Sequence, residues 1–180
     1  SPFFSPDGRW IGFWQAPPGA ANAGAGEIKK VPVAGGPAVT LCRAPLLGGV
    51  SWGSHGRIVF GHHEGGEGLW HVAEDGGTPA RLTTVDTSKG EFSHRLPYVL
   101  PSGEAVLFTS QNAPSRFDDA EIVVRSLVTG AQSVVVRSAV DARYVPSGHV
   151  VYARMGALLA QPFHVTRVAV TGGPVGVLDN

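Results

Sequence analysis

The chain has 180 residues and a formal net charge of zero, from 14 basic and 14 acidic residues. No basic run stands out, so it carries no electrostatic footprint for nucleic acid. No apolar run reaches the ~18–20 residues of a membrane-spanning helix, and the one cysteine, Cys42, excludes an intrachain disulfide.

Glycine (25) and proline (14) are abundant, yet 43% of residues are hydrophobic, which points to many turns between short buried segments rather than to a disordered tract. The first residue is Ser rather than Met, so a trimmed or processed piece is expected.

In chain order, two apolar segments come first, Phe3-Phe4 and Trp10–Trp14, hinged on Pro6-Asp7-Gly8. Glu27–Val33, Gly35-Gly36 and Ala38–Leu41 complete the unit. The pattern then returns. Gly49–Phe60 turns at Ser54-His55-Gly56, and Gly68–Val72 leads through Gly76-Gly77 to Ala80–Thr83. Leu96–Phe108 turns at Pro101-Ser102-Gly103, and Glu121–Leu127 leads through Thr129-Gly130 to Ser133–Val136. Ala142–Tyr152 turns at Pro146-Ser147-Gly148. Ala157–Phe163 then leads through Gly172-Gly173 to Pro174–Leu178, with an extra apolar alternation at Val165–Val170.

The turn glycines Gly8, Gly56, Gly103 and Gly148 are spaced 48, 47 and 45 residues apart. The segments are short, β-branched or aromatic, and bounded by Gly or Pro, so they read as strands. Gly-Gly and Thr-Gly suit hairpins because those turns need positive φ. Four strands in a period of ~45 residues is the pattern of a β-propeller blade. The expected fold is all-β: four four-stranded antiparallel blades over about 1–46, 47–90, 91–139 and 140–180, in one propeller module. In this scheme Phe3-Phe4 is an innermost strand, and the aromatic residues fill the space between neighbouring blades.

Ser5-Pro6-Asp7-Gly8-Arg9-Trp10-Ile11, followed by Glu27-Ile28 and Gly35-Gly36, resembles the TolB-like, or WD40-like, propeller repeat of bacteria. The first unit matches best; the second has Gly53-Ser54-His55-Gly56, and the third and fourth keep Pro-Ser-Gly without the Asp. Lys30–Gly36, Ser93–Pro97 and Ala142–Arg154 resemble the propeller region of bacterial serine/threonine protein kinases, although no kinase motif is present. That resemblance implies a sensor or binding module outside the membrane (periplasmic or cell-surface) within a larger signalling protein. Related propellers close with six to eight blades. Three arrangements are therefore open: a partial propeller, half of an eight-bladed ring completed by a homodimer, or a closed four-bladed ring.

His62 and His63 lie in a Gly-rich loop after the second strand of the second unit, His55 in the turn before it, and His94 and His149 in or beside other blade turns. Histidine with carboxylate suits a divalent metal that activates water, which defines an alternative, a metal-dependent hydrolase. Exposed loop histidines are the simpler reading, and no cofactor is then expected. Asp118-Asp119 could offer oxygens to calcium, or form a solvated loop.

Asp7 is expected to satisfy turn amides, and Cys42 to be an inert thiol. Trp10 and Trp52 read as packing residues. Ala16–Gly26 lacks Gly-Lys-Ser/Thr and is no phosphate loop; Ser54 lacks a nucleophile-elbow context. His94 and Arg95 stand at the start of an inner strand, and Arg143 holds the like place in the fourth unit. These three are the expected ligand-binding residues, facing the central channel or its rim; Arg95 and Arg143 either offer guanidinium groups to an acidic ligand or form salt bridges to a neighbouring blade. The functional expectation is a non-catalytic module that presents loops to a protein or small-molecule ligand. The third alternative is a structural self-assembly module.

Overall fold

A computed structural model describes residues 2–17, 26–114 and 117–178. The first blade orders β1 (Phe3–Phe4), β2 (Trp10–Gln15), β3 (Gly26–Pro32) and β4 (Val39–Ala44) as an antiparallel meander. The second has β5 (Leu47–Trp52), β6 (Arg57–His62), β7 (Leu69–Ala73) and a short β8 (Ala80–Arg81). The third has β9 (Ser93–Val99), β10 (Ala105–Gln111), β11 (Glu121–Ser126) and β12 (Gln132–Arg137). The last contains β13 (Val140–Val145), β14 (His149–Arg154), β15 (Ala157–His164), β16 (Ala169–Val170) and β17 (Val175–Leu178). A single 3₁₀ turn, Thr87–Lys89, is the helical content of the described residues.

Both β16 and β17 pair with β15, Phe163 opposite Val170 and Ala160 opposite Val175. They are two pieces of one outer strand, interrupted at Thr171–Pro174. The alternation at Val165–Val170 thus forms a hairpin turn and a stub of strand. Ala16–Gly26, the stretch that lacks a phosphate-loop pattern, falls largely outside the described residues.

Period-2 alternation sorts each central strand between two neighbours. In β6, Ile58 and Phe60 pack toward the first blade and Val59 toward the third. In β10, Val106 and Phe108 face the second blade while Ala105 and Leu107 face the fourth. This is why every residue of β10 is buried: covered on both faces, the strand opens with a continuous apolar run, Ala105-Val106-Leu107-Phe108, rather than an alternating one.

Three core clusters result, one per blade junction. Phe3, Ile28, Trp52 and Phe60 fill the first, Val59, Leu69, Val99 and Phe108 the second, and Leu107, Ile122, Tyr152 and Phe163 the third. Each fully buried large side chain contributes about 1.5–3 kcal/mol. The first junction also buries a cation. The Lys30 ammonium lies 4.6 Å from the centre of the Trp10 ring and donates to the Glu74 carbonyl at 2.6 Å. The Trp52 indole donates to the Glu74 carboxylate at 3.0 Å.

Among the described residues, no core cluster joins the fourth blade to the first. Phe4, on the face of β1 opposite Phe3, is 62% exposed, and Val175 and Leu178 on the last blade are 60% and 65% exposed. The stack therefore presents apolar surface at both ends.

Candidate functional site

The inner strands share a backbone irregularity. Gly49, Leu96 and Asp141 have φ of 115°, 52° and 54°, and each stands seven positions before its blade's turn glycine. The turn glycines Gly8, Gly56, Gly103 and Gly148 have φ of 69°, 64°, 71° and 82°. At the same level the ladder slips: between Leu47 and Val50 in β5, opposite Leu107–Thr109 in β9, and between Val140 and Arg143 in β13. A β-bulge of this kind re-aims the flanking side chains. Here it turns Arg95 and Arg143 toward a cavity of about 510 Å³ that Leu47, Leu96 and Asp141 also line.

Glycines make room for Arg95. A methyl group on Gly49 would stand 2.7 Å from Leu96 Cα, and one on Gly61 2.9 Å from the His94 carbonyl oxygen. The Arg95 guanidinium donates to Gln111 Oε1 at 3.3 Å and to His63 Nδ1 at 2.9 Å. Its Nε is buried without a partner among the described residues. Burial lowers its pKa from the usual arginine value, yet the group stays charged at any physiological pH.

Arg143 is half-exposed. Its Nε and Nη2 both donate to Asp141 Oδ1, at 2.8 and 2.7 Å. Its guanidinium stands 5.7 Å from the centre of the Tyr98 ring. Two guanidinium groups, one of them held by a histidine ring and an amide, give this rim donors for an anion.

His94 does not join them. It is 2% exposed, enclosed between the second and third blades. Its Nδ1 pairs with Thr83 Oγ1 at 2.7 Å, its Nε2 with Glu91 at 3.1 Å, and its ring packs on Phe108. Burial lowers its pKa, opposed by the Glu91 charge. The expectation that His94 faces the channel is therefore corrected: alternation along the strand sends Arg95 to the rim and its neighbour inward.

Nor do the four histidines converge. His62 ends β6 and stacks on Trp70 at 5.8 Å, with its pKa lowered by burial. His63 accepts from Arg95, and His149 sits against Ser147 in the last blade's turn. Among the described residues no three His, Cys, Asp or Glu side chains form a metal-holding group. Asp118 and Asp119 are exposed turn residues.

Asp7 closes its turn, accepting from the Ser5 hydroxyl at 2.6 Å and the Arg9 amide at 3.0 Å. The Ser5 hydrogen bond, with those from Arg9, holds its carboxyl far below the usual range. Burial pushes the Cys42 thiol up to about 11. Asp141, Gln111 and the Gly48-Gly49 pair belong to the rim and were not singled out from sequence. Their only sequence signal is the glycine doublet seven residues before Gly56.

No family model matches the chain, and no curated protein does. Solved structures do. A TolB from Acinetobacter baumannii superposes with a TM-score of 0.67 at 16% identity, over 91% of this chain and 40% of that one. The fold is that of a TolB-like β-propeller. A putative TolB from Agrobacterium tumefaciens gives 0.69 at 15% identity, over 97% of this chain and 63% of that one. Oligogalacturonate lyase from Vibrio parahaemolyticus gives 0.66 at 13%, over 95% and 52%. The chain thus spans 40 to 63% of these three proteins. A fold shared by TolB and a lyase leaves function to the site.

Proposed function

We propose that this chain is a non-catalytic binding segment of a bacterial propeller, sensing an acidic ligand or acidic protein segment at the inner-strand rim. The observation that carries it is the Arg95 guanidinium, held by the His63 ring and the Gln111 amide beside the rim cavity with no carboxylate partner among the described residues. A charge-assisted hydrogen bond from a pre-positioned guanidinium is stronger than a neutral one and costs little ordering entropy. Location outside the cytoplasm, in a larger signalling protein, follows from the kinase-propeller resemblance.

The test is calorimetric titration with hexaglutamate at low salt. Arg95→Gln and Arg143→Gln are each expected to weaken binding about tenfold, the worth of one charge-assisted contact. Affinity unchanged from that of the unaltered chain in both variants overturns the proposal.

Self-assembly is a second reading, favoured by the uncovered faces that carry Phe4 and Val175. A second copy packed there would bury apolar area, as the three internal junctions do.

A further inference from the structure

The Val165–Val170 segment, peculiar to the last blade, walls a second cavity. It opens between the third and fourth blades at the strand ends remote from Arg95, beside the Pro101–Gly103 turn, with a volume of about 730 Å³. That lies within the ~300–1,000 Å³ range of small-molecule sites. Val124 and Val128 line one side, Tyr144, Val165 and Val168 the other.

Two further observations bear on it. Val168 has φ of 54°, a conformation a β-branched residue adopts only where its surroundings impose it; such strain gathers at ligand clamps. Arg167 is the cation of the lining, and among the described residues its side chain has no ion pair or hydrogen bond. Glu104 stands in the other wall, so an anionic head is favoured at the Arg167 end alone.

We propose that this cavity binds a small amphiphilic carboxylate, its alkyl body between Val124, Val128, Val165 and Val168 and its head on Arg167. The site is separate from the rim and independent of the function proposed for it.

The probe is octanoate, with octanol and acetate as controls, followed through the amide NMR signals of the intact chain. Octanoate is expected to give saturable shifts at Val165, Val168 and Glu104, and acetate none. Arg167→Gln is expected to weaken octanoate about tenfold while leaving octanol unchanged. Val128→Glu, at a position 75% exposed and so harmless to folding, is expected to abolish octanoate binding. Val168→Gly keeps the turn, removes the wall, and is expected to weaken octanoate and octanol alike. Shifts elsewhere, no saturation, or octanol binding as tightly as octanoate in the unaltered chain overturns the assignment.

Discussion

Replacing Gly49 by Ala tests whether the rim depends on close approach of two backbones. Its φ of 115° would be strained for any L side chain, and its added methyl would stand 2.7 Å from Leu96 Cα. Positive φ costs about 1–2 kcal/mol, and forcing a methyl into packed backbone costs about 1–3 kcal/mol more. The sum, about 2–5 kcal/mol, is a large share of a typical ~5–15 kcal/mol.

Gly77 supplies the control. Its φ is 131°, and nothing lies within 4 Å of an added methyl. Gly77→Ala is therefore expected to cost only the strain. Urea denaturation of both variants measures the difference, which is expected to be about 1–3 kcal/mol. At roughly 2–4 °C per kcal/mol, Gly49→Ala should also melt about 2–12 °C below Gly77→Ala. Hexaglutamate affinity should fall with Gly49→Ala and hold with Gly77→Ala. Equal destabilisation by the two would refute the argument, because only the contact with the third blade separates them.

Two other outcomes follow from the same geometry. His94 is buried neutral, with its pKa lowered chiefly by burial, so the unfolded chain takes up the proton first, near pH 6.5. Stability should be fully present above that pH and decline as pH falls below it; His94→Gln should flatten the decline in urea midpoints between pH 7 and 5. Phe4→Lys and Val175→Lys place charge on the uncovered end faces, where both wild-type side chains are more than half exposed. Each should reduce concentration-dependent mass in light scattering and leave the melting temperature of the monomer within about 1 kcal/mol equivalent; a mass that the substitutions do not change removes the self-assembly reading.

The blades were legible because their determinants are local. A tight turn that needs positive φ is written as glycine, and Gly8, Gly56, Gly103 and Gly148 all carry it. The rim was legible only in part, because its determinants are tertiary. Leu96 and Asp141 adopt positive φ without being glycine, so nothing in their identity announces the bulge. His94 looked like a rim residue because it adjoins Arg95. Its partners Thr83 and Glu91 lie outside the regular strands, and no spacing rule links them. In β10, Thr109, Ser110 and Gln111 are as buried as the apolar residues before them. Sequence polarity suggested a strand end there, whereas Thr109 accepts from the Asp141 amide and Gln111 accepts from Ser93 and Arg95.

Glycine at the rim and glycine in the turns answer different physical demands. Gly8 has open space around it, and its need is the dihedral angle alone. Gly61 has ordinary φ, and its need is volume: a methyl there would meet the backbone of His94 and Arg95. Gly49 has both needs. The second blade therefore gives up side chains at its inner strands so that the third can bring Leu96 and the stem of Arg95 close. What the missing side chains leave is a guanidinium whose direction is fixed by His63 and Gln111 before any ligand arrives. An arginine held in this way loses less rotamer entropy on binding than a free surface arginine, which loses about 1.5–2 kcal/mol when ordered. The glycines of this one blade thus act on the binding energy of the next.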